Sequence, residues 1–577
     1  MILVKEGMIM NSILSKIKTS VRSAILIFIA LITLCINTTS EAKSIQIEVD
    51  STSPGKPIKH VWSFWGFDEC NFTYTENSRE LMKTLSISNK DPVYIRSHFL
   101  LNTGDGTPAL KWSSTNAYTE NEAGEPVYDW AIMDKIMDAV VGSGCWPLVE
   151  IGFMPKALSI KPEPYQHKYP PDMWAGWAYP PNDYEKWAKL IEKWAEHSKE
   201  KYGTDVENKW LWELWNEPDI FYWQGTFEEY CKLFDYTEKA IHSVLPKAVF
   251  GGPHTTSPAY RRPARYLRRF LEHCTSGENY ATGKKGTRLD YIGFHSKGNT
   301  SLADGHPRVD LAANLKNNQR GFAIVADFEQ YRNTPIIIGE CDPEGLAALS
   351  STVHPANGYR NSSYYAAYEV ALMKHTLDLA EQEGVNLKGV LTWAFMFEGK
   401  QYFEGFRTLA TNGIHKPVLN GFKMLGMLEG KRVPLSSSGA LGVDKIISER
   451  IRNAPDIDGL ATVGEQMVQV ILWNYHDDII DAEPNNVSLD IKLPSNIQRA
   501  TVTHYRIDKT HSNAYTKWVS LGSPQKPTEE QLAVLHKAAE LEMLEPVKNY
   551  EVSSGNLSLG FEMPRHSVSL VEIRFLK

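Results

Sequence analysis

Two glutamates in this chain stand where acid–base chemistry could be done. Glu217 closes the apolar stretch of Trp212-Glu-Leu-Trp-Asn-Glu-Pro-Asp219, and Glu340 closes Thr334-Pro-Ile-Ile-Ile-Gly-Glu340. Two carboxyls at the tips of two strand-like segments suit the cleavage of a glycosidic bond. That bond breaks through an oxocarbenium-like transition state, which needs a proton on the leaving oxygen and negative charge near the anomeric carbon. One carboxyl must then be neutral and the other ionised, and an acid held among Trp212, Trp215 and other aromatics stays protonated near neutral pH. Taken alone, an Asn-Glu-Pro is equally a turn.

Those tips need strands to carry them. Eight short apolar runs alternate with stretches of helical period: 61–66, 93–98, 147–153, 210–215, 249–253, 290–295, 335–340 and 389–395. Between the third and fourth, Tyr184, Trp187, Ile191 and Trp194 recur at helical spacing and Gly203 is placed to end the helix. Eight strand–helix units predict an α/β fold, a (β/α)8 TIM barrel, whose chemistry lies at the C-terminal strand ends. From about residue 430 the period falls to two, over 467–473, 487–493, 500–507, 557–563 and 568–575, which predicts a C-terminal β-sandwich. Ile45, Ile47 and Val49 alternate likewise, so the first strand is expected to join it. A single helix is expected to interrupt the sandwich, started by the capping box Thr528-Glu-Glu-Gln531. The expected division is a leader over 1–42, the barrel over 43–428 and the sandwich over 429–577.

The leader rests on Lys16, Lys18 and Arg22, then a 13-residue apolar run from Ala24 to Ile36, then small polar residues. This is the pattern of an export signal, cleaved near 39–42, with secretion or a periplasmic location expected. The run is too short for a stable membrane span. A net charge of −8 supplies no basic field for nucleic acid. Five cysteines follow the leader with no repeated spacing, no zinc pattern occurs and no Gly-rich phosphate loop is present, so neither metal nor other cofactor is expected. Nothing in the sequence speaks to oligomeric state. The 16 Trp and 26 Tyr are numerous enough that some should line a sugar site, although most must pack the core.

Five ordered motifs carry a resemblance. His60-Val-Trp-Ser-Phe-Trp-Gly66, Trp215-Asn-Glu-Pro-Asp219, Asp290-Tyr-Ile-Gly-Phe-His-Ser-Lys-Gly298, Glu340-Cys-Asp-Pro343 and His511-Ser-Asn-Ala-Tyr515 resemble glycoside hydrolase family 39, which contains β-xylosidases and α-L-iduronidases. The resemblance implies a retaining double displacement, with Glu217 as acid/base and Glu340 as nucleophile, and an Asn216 that binds the sugar 2-OH. His98 and His295, at the ends of the second and sixth strands, are candidates for sugar hydroxyls. Trp393, Phe397 and Trp65 are candidate stacking platforms.

Two further matches point to the iduronidase branch. His295-Ser-Lys-Gly298 resembles its His-Arg-Lys-Gly, and Arg407 in Phe406-Arg-Thr-Leu409 resembles the arginine of its Arg-Thr-Leu. In that branch Lys297 and Arg407 would hold a uronate carboxylate, whereas the alternative is that both pair with acids of the site such as Asp342 or Glu344. The expected function is an exported, retaining exo-glycosidase of β-xylosidase type acting on oligo- or polysaccharide. The alternatives are an α-L-iduronidase-like enzyme for an acidic polysaccharide, sulfated or not, and a non-catalytic carbohydrate-binding protein.

Overall fold

The computed structural model describes residues 44–109, 112–165, 176–394 and 396–576, so the expected leader lies outside the described residues, as does Phe395. Chain contacts divide the molecule into Met1–Ile45 and Gln46–Lys577. The second unit holds the elements that follow.

Eight parallel strands close into a barrel: β1 (Phe64–Phe67), β2 (Tyr94–Ser97), β3 (Trp146–Ile151), β4 (Leu211–Leu214), β5 (Val249–Thr255), β6 (Tyr291–Lys297), β7 (Ile336–Asp342) and β8 (Leu387–Trp393). Each neighbours the next and β8 returns to β1 through Leu391 opposite Phe64. The helices that follow them are α1 (Glu76–Ile87), α2 (Ala131–Gly142), α3 (Tyr184–Tyr202), α4 (Phe227–Val244), α5 (Arg261–Ser276), α6 (Leu311–Ala326), α7 (Ser363–Glu383) and α8 (Pro417–Met427). α3 shows why the local sequence folds this way. The Asp183 side chain caps the amides of Glu185 and Lys186, Trp187, Ile191 and Trp194 are buried on one face, and Gly203 ends the helix at φ +65°. Each such buried side chain contributes roughly 1.5–3 kcal/mol.

Alternation along the strands sorts the barrel interior into layers. The floor is apolar: Phe64, Tyr94, Leu148, Leu211, Tyr291, Ile337 and Leu391 form one cluster. Two residues further along, the inward positions carry Arg96, Glu150 and Glu213, all fully buried. Glycines make room in this layer, since a Cβ at Gly293 would stand 2.3 Å from the His254 ring and one at Gly66 2.2 Å from Trp393. Trp65 faces the other way and packs edge-on against Phe422 of α8, so it is core and not a stacking platform.

The C-terminal strands form two sheets. One joins Leu435–Ser437, Ile45–Asp50, Asn485–Lys492 and Asn556–Met563, with Ile47 opposite Ser437. The other runs through Asp456–Val463, Met467–Tyr475, Ser567–Leu576 and Arg499–Ile507. Asp456–Val463 was not among the period-two runs: it is buried along nearly its whole length, and Asp456, Asp458, Gly459 and Thr462 break up its apolar residues. Three helices, not one, interrupt the sandwich: Val443–Glu449, Ala514–Ser520, capped by Asn513, and Glu529–Ala538, with its Thr528–Gln531 capping box. α7 ties barrel to sandwich through His375–Asp456 at 3.0 Å and Lys374–Asp458 at 2.5 Å.

Candidate active site

Glu217 leaves β4 in an unusual backbone. Trp215 and Glu217 have φ of +66° and +46°, left-handed values that cost an L-residue about 1–2 kcal/mol each. The surrounding structure holds them there. The Trp215 amide donates to Ile151 O at 3.0 Å, its indole to Tyr222 O at 2.8 Å, and the Glu217 amide to His254 O at 3.0 Å. The turn aims Glu217 at His295, whose Nδ1 lies 3.0 Å from Glu217 Oε1 and 3.7 Å from Glu340 Oε1. Carboxylate oxygens of Glu217 and Glu340 and a ring nitrogen of His295 lie within 4.8 Å of one another. The structure thus brings together the two glutamates singled out in the sequence and both candidate histidines, His295 beside the two carboxylates and His98 beside Glu340.

Glu340 is the most heavily contacted of these groups. Its Oε1 accepts from Arg96 Nη1 at 3.1 Å and faces His98 Nε2 at 3.3 Å, and its Oε2 faces Lys297 Nζ at 2.6 Å. Burial by itself would raise its pKa, but the charges of Lys297 and Arg96, with His295 and His98 beside them, outweigh it and hold the carboxyl well below the usual range. His295 is the reverse case. Burial, helped by the nearby cations, keeps it well below an ordinary imidazole and therefore neutral. Its Nε2 meets no hydrogen-bond partner among the described residues, and its Nδ1 is the ring nitrogen that faces Glu217.

Arg96 was passed over in the sequence, and it organises the site. Its guanidinium reaches Glu213 Oε1 at 2.6 Å, Glu150 Oε2 at 2.7 Å, Glu340 Oε1 at 3.1 Å and the Asn216 amide oxygen at 2.9 Å. Glu213 also faces His254 Nε2 at 2.6 Å. Burial would raise Glu213, but Arg96 and His254 bring it down to about 2, whereas burial pushes Glu150 up to about 8 against the pull of His98 and Arg96. His98 turns Nδ1 to Asp68. Its ring therefore braces Glu340, and the ring is only 1 % exposed. The sequence signal for Arg96, Glu150 and Glu213 was a charged residue inside each of three otherwise apolar strands.

The remaining candidates divide. Lys297 Nζ bridges Glu340 and Asp342, the latter at 2.5 Å, and Thr392 also donates to Asp342. Arg407 is 1 % exposed, donates to the Glu344 carbonyl and to Glu344 Oε1 at 3.1 Å, and lies 3.6 Å from Asp342. Trp393 packs edge-on to His98 at 5.1 Å, with Lys297 Nζ 5.8 Å from its ring, and it is 2 % exposed. Phe397 belongs to an apolar cluster with Phe72, Phe406 and Trp393 that backs this wall. Glu217, His295 and Glu340 are also spaced to hold a cation. Lys297 and Arg96 already supply positive charge to Glu340, so the set is balanced by the protein itself.

The model of glycosyl hydrolases family 39 matches residues 45–554. The chain belongs to this family. It is accordingly a glycoside hydrolase. Among relatives of the family, a beta-xylosidase from Caldicellulosiruptor saccharolyticus is 26 % identical over 489 residues, covering 83 % of this chain and 88 % of that protein. An alpha-L-iduronidase from Mus musculus is 24 % identical over 413 residues, covering 67 % of this chain and 62 % of that one. The fold matches the crystal structure of a monomeric beta-xylosidase from Caulobacter crescentus CB15 with a TM-score of 0.71 at 22 % identity, over 92 % of this chain and 100 % of that one.

Proposed function

We propose that the chain is an exported, retaining exo-glycosidase of β-xylosidase type, with Glu340 as nucleophile and Glu217 as acid/base. The observation that carries the mechanism is the separation of the two carboxylates. One oxygen of each lies within 4.8 Å of the other, an approach that suits the roughly 5–5.5 Å of a retaining pair better than the roughly 6.5–9.5 Å of an inverting one. Glu340, held ionised by Lys297 and Arg96, attacks the anomeric carbon and forms a glycosyl ester. Glu217 protonates the leaving oxygen, then takes a proton from the water that hydrolyses the ester. A neutral His295 donating Nδ1–H to Glu217 Oε1 leaves the other oxygen of that carboxyl to carry the transferable proton.

The charges of the site support a neutral sugar at the cleavage position. Arg407, the residue expected to grip a uronate, is spent on Glu344 and Asp342, and Lys297 on Glu340 and Asp342. A sugar carboxylate would have to displace these acids, so xylose is favoured over iduronate. Export is proposed from the apolar run Ala24–Ile36, and N-terminal sequencing of the protein recovered outside the cytoplasm should read from about residue 40–43.

The decisive experiment gives the leaderless protein an aryl β-D-xyloside, an aryl α-L-iduronide and a 2-fluoro xyloside. Hydrolysis of the first and covalent labelling of the peptide bearing Glu340 are expected, with Glu340→Ala at or below about 10⁻⁴ of the wild-type rate. Glu217→Ala should lose about 10²–10⁴-fold on xylosides with poor leaving groups and less on activated ones. A label on another peptide overturns the nucleophile assignment, and preferred turnover of the iduronide overturns the substrate.

A further inference from the structure

We propose that an arginine-lined groove at the start of α5 binds sulfate or carboxylate groups on the part of the saccharide that lies beyond the scissile bond. This rests on the glycosidase reading above and extends it to the class of polymer.

α5 begins Arg261-Arg-Pro-Ala-Arg-Tyr-Leu-Arg-Arg269. Pro263, Leu267, Phe270, Leu271 and Cys274 form its buried face. Two of the five arginines are spent locally. Arg268 pairs with Asp327, and Arg269 pairs with Glu228 at 2.7 Å and lies over the Phe227 ring at 3.9 Å. Arg261, Arg262 and Arg265 are exposed, and their side chains make no ion pair or hydrogen bond among the described residues. Yet Asp and Glu outnumber Lys and Arg in this chain, 69 to 61.

Their position is electrostatically unfavourable in the free protein. Arg261 and Arg265 are a like-charged i,i+4 pair, which destabilises a helix. All three sit in its first turns, where the macrodipole already carries partial positive charge, and the first turn contains no acidic residue. An anion would relieve both penalties at once, and a guanidinium matches the oxygens of sulfate or carboxylate in a planar fork. The same three arginines, with Tyr266 and Arg269, line a cavity of about 440 Å³. Tyr266 is part of the groove's wall, and its shielded hydroxyl meets no hydrogen-bond partner among the described residues.

The groove stands on the acid's side of the barrel mouth. Thr256 donates to Asp219 from its amide at 2.8 Å and from its hydroxyl at 2.5 Å, and Asp219 is two residues past Glu217. Five residues after Thr256, α5 opens with Arg261, and the charge of Arg262 is felt at Asp219. Because Glu217 protonates the leaving oxygen, the chain that departs passes on this side. The anion therefore belongs to the leaving portion, while the cleaved terminal sugar stays neutral.

The test uses Glu340→Ala as the background, so that ligand is bound without turnover. Affinities are measured for a xylo-oligosaccharide, its sulfated form and a form bearing glucuronic acid, in this background and with Arg262→Gln/Arg265→Gln or Arg262→Lys/Arg265→Lys added. At low salt an anionic form should bind about ten-fold tighter than the neutral one. That preference should vanish in the Gln variant, survive in part in the Lys variant and fade at high salt. The anionic form that binds tighter identifies the group recognised. Equal affinity for neutral and anionic forms, or an equal loss on all three in the Gln variant, overturns the proposal. So does binding to anionic vesicles or single-stranded DNA with no preference among the saccharides. Failure of the unmutated enzyme to cleave xylosides would instead sink the xylosidase reading and leave these affinity ratios readable.

Discussion

The barrel mouth and the sandwich both bury arginine and histidine, and they treat the charge in opposite ways. At the mouth, burial disfavours the charge of Arg96, but Glu213, Glu150 and Glu340 more than restore it and its pKa rises. In the sandwich, Arg506 is met by Ser569 Oγ at 3.0 Å, Glu562 O at 2.8 Å and one carboxylate, Asp508, at 3.4 Å, so burial prevails and its pKa falls. Two sandwich histidines behave as Arg506 does, and at the mouth His98 is their opposite, burial there being outweighed by Glu150 and Asp68, which raise it to about 9, although His295 is lowered. Burial, with Arg506 beside one and Arg565 beside the other, takes His504 and His566 down to about 3, and both bond to neutral oxygens, Ser569 Oγ and Asp478 O. The mouth gathers three carboxylates on one guanidinium, whereas Arg506, His504 and His566 are met mostly by neutral oxygens, so burial governs them.

The comparison can be broken most directly at the two arginines. Arg96→Met should cost about 3–5 kcal/mol, because Glu150 and Glu213 would be left as uncompensated buried carboxyls, whereas Arg506→Met should cost only about 1–3 kcal/mol. Denaturant unfolding of both variants checks this, and equal losses would mean that the mouth is no more charge-dependent than the sandwich. Next in size is Arg407→Ala. Glu344 keeps Arg360 at 2.6 Å, so the expected loss is about 1–3 kcal/mol, with xyloside and iduronide turnover falling alike. A loss confined to the iduronide would show that Arg407 faces substrate.

The smallest effect is in pH dependence. His242, on α4, is half-buried, which lowers its pKa, but Asp290, Glu238 at 2.9 Å and the Ala248 carbonyl at 3.0 Å raise it to about 9. An unfolded histidine titrates near 6.5. The stability from His242 is therefore full below about pH 6.5 and is lost as the pH rises through 9. His504 and His566 work in the other direction, since the unfolded chain takes up their protons first, so stability falls as the pH drops from about 6.5 toward 3. Unfolding midpoints across pH should show His242→Gln flattening the alkaline limb alone and His566→Gln the acid limb alone.

Much of the fold was legible because its parts are local. The apolar runs near 93–98 and 210–215 became β2 and β4 within two residues, and Asp183 and Gly203 bound α3 as their chemistry requires. Asp456–Val463 was not legible, because Asp456, Asp458, Gly459 and Thr462 break up its apolar residues, whereas Met467–Tyr475, equally buried, keeps a readable apolar run. Within the site, Glu217 and Glu340 announced themselves by motif. Glu150 and Glu213 did not, since a lone charge in an apolar strand has no meaning until the barrel closes it against Arg96.

The sequence by itself determined the strand–helix alternation, the switch to period two and the two strand-tip carboxyls, because each is written in residues a few positions apart. Only the tertiary structure decided which groups meet. Residues as distant as Arg96, Glu213 and Glu340 touch because the barrel register lays the ends of β2, β4 and β7 around one axis. It also decided what Arg407 and Lys297 are for, since a cation's role depends on which carboxylates closure leaves beside it.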